Sequence, residues 1–578
     1  MSTLTRTSAP PEARRLRLPA ARFALPAGLF LAGLAISGFT ALRHLDPYDE
    51  GQLLLGVRHV IDGQWLYADY VFPYGPGHPL VLAVMQDVFG QSLLWWRLIR
   101  VAADATVALL VFVIVRREAP LPVALLAWLI AATGMAEPGG PNPFPVALAF
   151  GLAAFAVATK EPRLAARADP LKRTFNLTNG ERAEASGGAE GRGVAGVAGG
   201  WRRPAAAGLL VALAAFWRID FGVYAGAAIL VALLLAPRDG ATNRMNAPVA
   251  FALTAVGATI LLYLPFAIAA GPGALWHQMV GQGLHDSKYW TLPFPWSYPG
   301  PFRVSSVGHV AHDVKKLIDF YVPAALLVGL VLMAGMIVVR SRRGRDGLPW
   351  RWIGLLVYGL GTLVYLHSRA DEFHTQPLLV VTATGLALGA SWLWRERRAL
   401  PTAAAAPLLA GAGVVLVLLA IHGSWNRASA LLRPPTLVRV GLPGTSAVTD
   451  TPANVAALRQ VVPYVQARVP PGQPIFVAPR RSDLDRLDDL LFYVLAGRDS
   501  VLNRGATLEA LPAQQRTTVA ALEREKPRIV VRWIDPISSQ PEPNLRGRAS
   551  GSRVLDDYLA RAYRRTAQFG VYVVLERR

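Results

Sequence analysis

The sequence predicts a mainly α-helical, polytopic membrane protein that ends in a soluble α/β domain. Apolar windows of about 20 residues with few charges recur along most of the chain, and this is the length that an α-helix needs to cross a bilayer. From about residue 422 the pattern changes to short strand-like and helix-like segments. The 578 residues therefore divide into a membrane domain, 24–421, and a C-terminal domain, 422–578.

About eleven spans are predicted in the membrane domain. The first has no A-x-A-like cleavage site, so we interpret it as an uncleaved helix rather than a signal peptide. Arg218 and Asp220 interrupt the apolar run at 204–236. The interruption fits either a tight outer turn between two short helices or one broken helix. The spans lie near residues 24–42, 93–115, 119–135, 144–159, 204–217, 221–236, 248–270, 317–339, 352–366, 377–394 and 403–421.

Positive charge sets the orientation of these spans. The chain has 59 Lys and Arg against 38 Asp and Glu, a net charge of +21. Roughly 26 of the basic residues fall in loops assigned to the inside and roughly 8 in outer loops, as the positive-inside rule expects. We therefore expect a cytoplasmic N-terminal segment at 1–23, an extracytoplasmic C-terminal domain and a location in the inner (plasma) membrane. The surplus of positive charge is attracted to anionic lipid head groups. It therefore does not indicate that the protein binds nucleic acid.

Three loops stand out by length or composition. The outer loop 43–92 contains two short amphipathic runs, 51–60 and 80–89, which we expect to lie in the plane of the interface. The aromatic residues expected at head-group level beside them are Trp65, Tyr67, Tyr70, Phe72 and Tyr74. Gly, Ala, Arg and Glu without apolar periodicity predict a disordered cytoplasmic loop at 160–203. The outer loop 271–316 is rich in Trp, Tyr and Pro.

The C-terminal domain is predicted to be a small layered α/β fold. Short apolar runs at 475–478, 528–533 and 570–575 are typical of buried strands, and segments of helical periodicity lie between them. A further helix at 452–469 leads into the domain. Because the chain has no Cys, this domain must be stabilised without disulfides, and a thiolate metal site is excluded.

The feature that most constrains function is an acidic cluster, Asp46, Asp49 and Glu50, directly after the first span. Ionisable groups at a membrane boundary are costly to keep unless they are used. The same residues also suit less specific roles. Asp49 and Glu50 fit the first turn of a helix, and an Asp-Pro pair such as Asp46-Pro47 often begins a turn. From the sequence, both interpretations are open.

A second charged cluster is predicted at the outer end of a later span. It contains Arg369, Asp371, Glu372 and His374. Such a group could meet the acidic cluster across a cavity and supply phosphate contacts or metal ligands. Alternatively, Arg369 and Asp371 form a plain surface ion pair and the histidine is structural.

The order of motifs in the first outer loop resembles that of a known family. Asp49-Glu50 is followed by Gly63 to Tyr67, a turn at Tyr74 to Pro79, Phe89-Gly90 and Arg97. This succession resembles the first outer loop of the GT-C glycosyltransferases, polytopic enzymes that use polyprenyl-phosphate sugars and include the protein O-mannosyltransferases and the lipid A aminoarabinose transferase. The resemblance covers about 60 residues plus the general topology, and it implies a GT-C-like membrane domain.

The resemblance also implies roles for both clusters. Asp49 is the best match to the family's carboxylate, which acts as the base on the acceptor or binds a metal. Glu50 beside it is the second candidate for the base, and Asp46 is an alternative. Cations must meet the leaving phosphate, and the outer-side candidates are Arg97, Arg218, Lys288 and Arg369. Candidates for contacts with a divalent cation or with the acceptor are Asp46, Asp371, Glu372 and His374.

We therefore expect a glycosyltransferase that moves a sugar from a polyprenyl-phosphate donor to a glycan, lipid or protein acceptor on the outer face of the membrane. A divalent cation is the cofactor that is compatible with this chemistry. Membrane lipids are expected partners because they surround the protein. The alternative is a non-enzymatic transporter or a scaffold for envelope polysaccharide export. Transporters tend to have paired interrupted helices near the midplane, and the single interruption at 217–222 does not fit that pattern.

Overall fold

The computed structural model describes the chain from residue 20 to residue 578 with nine internal gaps. Most of the predicted cytoplasmic loop 160–203, and the N-terminal segment up to residue 19, lie outside the described residues. The described part is mainly helical and ends in a small mixed sheet. The described ranges are 20–136, 143–160, 201–237, 246–294, 305–340, 348–397, 402–484, 488–504, 510–539 and 542–578.

Each predicted span lies on a helix, while the number of helices that cross the membrane stays a prediction. Among the described residues, five helices are long and apolar enough to cross, namely Leu93–Arg116, Asn246–Ala270, Val307–Val339, Glu372–Glu396 and Ala405–Leu432, and four apolar helices are shorter. The helices of this part are α1 (Ala20–Gly38), α2 (Asp49–Ile61), α3 (Gly77–Phe89), α4 (Leu93–Arg116), α5 (Leu121–Met135), α6 (Phe144–Ala158), α7 (Arg202–Trp217), α8 (Ile219–Leu235), α9 (Asn246–Ala270), α10 (Pro272–Trp276), α11 (Gln282–Trp290), α12 (Val307–Arg340), α13 (Trp350–Ser368), α14 (Glu372–Glu396) and α15 (Thr402–Leu432).

Small residues allow these helices to approach closely, as is common between membrane helices. A Cβ atom on Gly208 of α7 would lie 2.8 Å from the Phe251 carbonyl oxygen of α9. Similarly, a Cβ atom on Gly361 of α13 would lie 2.3 Å from the Tyr224 ring of α8. Side chains larger than hydrogen at either position would separate the paired helices.

The interruption in the apolar run at 204–236 is a sharp corner between two helices. Helix α7 ends at Trp217 and α8 begins at Ile219, so Arg218 alone connects them, in an extended conformation with φ −149° and ψ 114°. Behind the corner, a Cβ atom on Gly222 would lie 2.5 Å from the Ala215 Cβ atom. Of the two arrangements that fit the sequence, the tight turn between two helices is the one formed.

The outer loop 43–92 forms the two predicted short helices, α2 and α3, but α2 does not lie on the interface. Its Leu53 is buried in one hydrophobic cluster with Phe492 of the C-terminal domain. Tyr67 and Phe72 were expected at head-group level, yet they are 2% and 0% exposed in the same cluster. The expectation that these side chains contact the head groups was wrong, because the C-terminal domain, rather than lipid, covers the apolar side of this loop.

The C-terminal domain contains a four-stranded sheet in the order β3-β4-β6-β5. Strands β3 and β4 are parallel, and the other pairs are antiparallel. A separate antiparallel pair, β1 and β2, precedes it. The elements are β1 (Val438–Arg439), β2 (Thr449–Asp450), α16 (Pro452–Gln466), β3 (Phe476–Ala478), α17 (Leu491–Ala496), α18 (Pro512–Glu525), β4 (Ile529–Trp533), α19 (Val554–Ala562), β5 (Tyr563–Phe569) and β6 (Tyr572–Arg577).

The three predicted strands correspond to β3, β4 and β6, but β5 was not predicted. This strand lies at the edge of the sheet and exposes Arg564 and Arg565, so it lacks the apolar run that identifies a buried strand. Charged residues on an edge strand also discourage pairing with another chain.

The C-terminal domain rests directly on the acidic cluster. The Leu491 amide, at the start of α17, donates a hydrogen bond of 2.9 Å to the Pro47 carbonyl oxygen. A Cβ atom on Gly51 would lie only 2.2 Å from the Leu491 nitrogen. The absence of a side chain at Gly51 therefore lets the backbones of α2 and α17 touch.

Candidate functional site

A cavity of about 1070 Å³ lies where the membrane helices, loop 43–92 and the C-terminal domain meet. Its walls come from the end of α1, the start of α4, the corner at Arg218, the segment α10–α11, the connection between α13 and α14, and the C-terminal domain. Seven of the ten predicted site residues line it, namely Asp46, Asp49, Arg97, Arg218, Arg369, Asp371 and His374.

Asp49 is the first residue of α2 and lines the cavity. Within the described part of the chain, its carboxylate takes part in no hydrogen bond or ion pair. Burial, followed by the neighbouring carboxylates of Asp46 and Asp371, raises the pKa of Asp49 well above its usual value, while Arg369 and Arg218 act in the opposite direction. A carboxylate with these properties is a stronger base than an ordinary aspartate.

Asp46 lies in the turn before α2, as its Asp-Pro sequence indicated. Its Oδ1 atom accepts hydrogen bonds from the amides of Tyr48 at 3.0 Å and Asp49 at 2.9 Å, so it caps the start of α2. Burial, followed by the charge of Glu50, raises the pKa of Asp46 to about 6. Asp46 lines the cavity as well, so the cap does not remove it from the site.

Glu50 and Arg97 form a buried ion pair at the wall of the cavity, with Arg97 lining it. Arg97 donates from Nε to Glu50 Oε1 at 2.9 Å and from Nη2 to Oε2 at 2.8 Å. The same guanidinium donates to the carbonyl oxygens of Ala41 at 2.8 Å and His44 at 2.7 Å. Glu50 is fully buried and does not line the cavity. The expectation that Glu50 is a second base conflicts with this geometry, because both of its oxygens are held by Arg97.

Arg218 occupies the corner between α7 and α8. It donates from Nε and Nη2 to the carboxylate of Asp220, at 3.0 and 2.8 Å, and its guanidinium lies over the Tyr365 ring at 4.8 Å. The turn at Tyr74 packs against this corner, because a Cβ atom on Gly75 would lie 2.2 Å from the Phe216 carbonyl oxygen. The glycine of the turn thus lets the first outer loop reach the helix corner.

The second charged cluster connects the membrane helices to the C-terminal domain. Arg369 donates to Asp371 Oδ2 at 2.9 Å and, from Nη2, to Glu542 Oε1 at 3.0 Å. Asp371 caps α14 by accepting from the His374 amide at 3.0 Å, and His374 Nδ1 lies 2.5 Å from the same oxygen. Burial acts to raise the pKa of Asp371, but the neighbouring His374 and then Arg369 hold it below its usual value.

Besides Glu50, two further predicted residues of the site do not line the cavity. Lys288 lies on α11 with its ammonium group 5.2 Å from the centre of the Tyr289 ring, and Glu372 is exposed at the start of α14. Neither lines the cavity. Glu542, which sequence reasoning missed, accepts from both Arg369 and Arg546. It falls in a segment without strand or helix periodicity, so no sequence signal identified it.

The residues present do not fit the predicted divalent cation. Among the described residues, no three His, Asp or Glu side chains converge as the ligands of a metal ion would. Asp371 and His374 are instead bonded to each other, and Asp46 is occupied by backbone amides. We therefore derive no step through a metal.

Comparison with known proteins supports the fold that the loop motifs implied. No family model and no curated protein matches the sequence. Among solved structures, ArnT from Cupriavidus metallidurans bound to undecaprenyl phosphate matches with a TM-score of 0.51 and 15% identity over 96% of this chain and 98% of that one. The fold is therefore that of the GT-C membrane glycosyltransferases.

A second solved structure has the same fold over a longer chain. The archaeal oligosaccharyltransferase AglB from Archaeoglobus fulgidus, in complex with an inhibitory peptide and a dolichol-phosphate, matches with a TM-score of 0.51 and 12% identity over 95% of this chain and 74% of that one. At these identities the likeness establishes the fold, and the chemistry has to be argued from the cavity.

Proposed function

We propose that the protein is a membrane glycosyltransferase that moves a sugar from a polyprenyl-phosphate donor to a glycan, lipid or protein acceptor on the outer face of the inner membrane. The observation that carries the proposal is one cavity in which the unpaired Asp49 carboxylate lies with Arg218 and Arg369. The fold supports it, because the ArnT structure contains undecaprenyl phosphate and the AglB structure a dolichol-phosphate.

In the proposed reaction, Asp49 is the general base. An acceptor oxygen attacks C1 of the sugar while Asp49 takes its proton, and the bond between C1 and the phosphate oxygen breaks. The electron pair leaves with the phosphate, which yields polyprenyl phosphate, and displacement in one step inverts C1. The raised pKa of Asp49 favours this role, because proton transfer is most efficient when the pKa of the base is near the working pH.

Cationic side chains would stabilise the charge that develops on the leaving phosphate. Arg218 and Arg369 line the cavity with Asp49 and are the predicted residues that suit this role. Arg97 and Glu50 become positioning residues, since their buried pair fixes the loop that carries Asp49 to the start of α4. Asp371 and His374 orient Arg369 and the beginning of α14.

Replacing Asp49 by Asn tests the proposal in cells. The variant keeps the size of the side chain and removes the base, so we expect the surface glycan product to disappear and the polyprenyl-linked sugar to accumulate. Asp87→Asn is the matched control, because Asp87 is an exposed carboxylate on α3. An unchanged glycan profile with correctly inserted Asp49→Asn protein would overturn the assignment, and a loss of uptake or export in place of transfer would favour the transporter.

A further inference from the structure

The C-terminal domain contributes two arginines to the cavity, Arg504 and Arg546, and sequence analysis singled out neither of them. The preceding residue, Asn503, accepts a hydrogen bond of 2.8 Å from the Val71 amide, and Arg504 and Val71 form an isolated β-bridge. Arg504 is therefore held by backbone pairing between the C-terminal domain and loop 43–92. Its position does not depend on a contact of its own side chain.

Arg504 differs from the other arginines of the cavity in having no partner. In the described part of the chain, the Arg504 side chain forms no hydrogen bond or ion pair, and its Nη2 atom is buried. A buried donor left unsatisfied is destabilising, and more so on a charged group. The remaining cavity-lining arginines each bond to a carboxylate or a carbonyl oxygen, and they are Arg43, Arg97, Arg100, Arg218, Arg369 and Arg546.

Loop 43–92, which pairs with Arg504, packs against the end of an apolar helix. Phe72, next to its bridge partner Val71, donates from its amide to Gln278 Oε1 at 3.2 Å. Tyr67 of the same loop packs edge-on against Phe266, with ring centroids 5.7 Å apart, in the last turns of α9. Because α9 is long and apolar enough to cross a membrane, Arg504 lies near the level of the lipid head groups.

The cavity has an apolar, exposed edge on the same side. Trp276 and Leu284 both line the cavity, and they are 65% and 73% exposed. On α9, Ile268 is also exposed. Exposed apolar side chains next to a membrane helix are typical of a surface covered by lipid, so a hydrocarbon chain can enter the cavity across this edge without crossing water.

We propose that Arg504 binds the phosphate oxygens of the polyprenyl-phosphate donor, whose hydrocarbon chain leaves the cavity over Trp276 and Leu284. The inference rests on the proposed function and adds the C-terminal domain to the donor site. A guanidinium can engage two phosphate oxygens with parallel hydrogen bonds. The apolar edge beside Arg504 selects a lipid phosphate over a free phosphate ion.

Binding of three probes to the full-length protein in lipid nanodiscs tests the inference. The probes are undecaprenyl phosphate, undecaprenol of the same chain length, and inorganic phosphate. We expect Arg504→Ala to weaken binding of undecaprenyl phosphate about tenfold or more, and Arg504→Lys to weaken it less, because a charge-assisted bidentate contact is lost or reduced. Undecaprenol binding should not change. Arg564→Ala, which removes an exposed arginine of the same domain, is the matched control.

Each outcome of this experiment decides one point. Equal affinity of wild type and Arg504→Ala for undecaprenyl phosphate overturns the assignment of Arg504. A wild-type protein that binds undecaprenyl phosphate no better than undecaprenol overturns the proposed function itself. Tight, Arg504-dependent binding of inorganic phosphate overturns the choice of a lipid phosphate. If Arg504→Ala does not fold, Arg504→Gln, which keeps the Cβ, Cγ and Cδ atoms of the side chain and removes the charge, gives the same comparison.

Discussion

The two charged clusters of the cavity both contain aspartates, but the environments of these aspartates are opposite. In the second cluster, Asp371 is bonded to Arg369 and His374, and its pKa is below the usual value. In the acidic cluster, Asp49 has no bonded partner in the described part of the chain, and its pKa is raised. Titratable groups whose environments move their pKa values apart identify different roles. Under the proposed function, the base is therefore Asp49, the carboxylate without a bonded partner among the described residues, and not simply any carboxylate in a dense group of charges.

The largest expected effect concerns stability and comes from the buried pair next to Asp49. Glu50→Gln leaves Arg97 buried and charged without its carboxylate, which should lower the free energy of unfolding by about 3–5 kcal/mol. Thermal or denaturant unfolding in detergent measures it. Glu523→Gln, on an exposed face of α18, should have no such effect. A stable Glu50→Gln protein that has lost transfer would instead make Glu50 a base.

The pH dependence of transfer should reflect the raised pKa of Asp49. A base works only when deprotonated, so kcat/KM should be constant above that pKa and fall about tenfold per pH unit below it. Because the pKa is raised, the decline should begin well above pH 4, which is about the ordinary value for an aspartate. A rate that remains constant down to about pH 4 would contradict the buried, unpaired state of Asp49.

A smaller loss of stability and of transfer is expected from a substitution at the point where the C-terminal domain contacts the acidic cluster. Gly51→Ala would place a methyl group 2.2 Å from the Leu491 nitrogen, so α2 and α17 must separate. Overpacking of this kind costs about 1–3 kcal/mol, and it should also reduce transfer because the loop that carries Asp49 shifts. Gly283→Ala is the control, since a Cβ atom there meets open space. Equal unfolding curves for both variants would show that the two helices do not touch.

The smallest loss of stability and of transfer is expected from a substitution in the second cluster. Asp371→Asn keeps an N-cap for α14, since Asn caps as well as Asp, and loses partly exposed ion pairs worth about 1 kcal/mol or less. Transfer should fall by about tenfold or less, because Arg369 retains Glu542. A loss as large as that of Asp49→Asn would mean that the clusters contribute equally to catalysis.

Apolar periodicity predicted most of the fold, because span length and strand burial are local properties of the chain. The predicted runs correspond to α4 and α9, for example, and to β3, β4 and β6. Edge strand β5 was not predicted because its charged residues interrupt the alternation of apolar and polar residues that identifies a strand. Tyr67 and Phe72 were misassigned to the interface because local sequence cannot show that a domain some 400 residues later covers them.

The sequence predicted where the site lies, but only some of the contacts that its residues make. The loop motif identified Asp49, and composition at a helix end identified Arg369. The environments of other site residues depend on partners that are distant in sequence. Arg97 pairs with Glu50, and Glu542 pairs with Arg369. Arg504 has no motif around it and enters the cavity only through its pairing with Val71. Long-range pairing of charges is the information that a single sequence does not contain.

The central claim is that Asp49 removes a proton and does not hold the donor. The direct measurement is donor binding and transfer by purified Asp49→Asn, with Asp371→Asn beside it. We predict that Asp49→Asn binds the polyprenyl-phosphate sugar as wild type does while transfer falls about 10²–10⁴-fold, the usual contribution of a general base. Transfer at the wild-type rate by an Asp49→Asn protein that binds the donor normally would contradict the account.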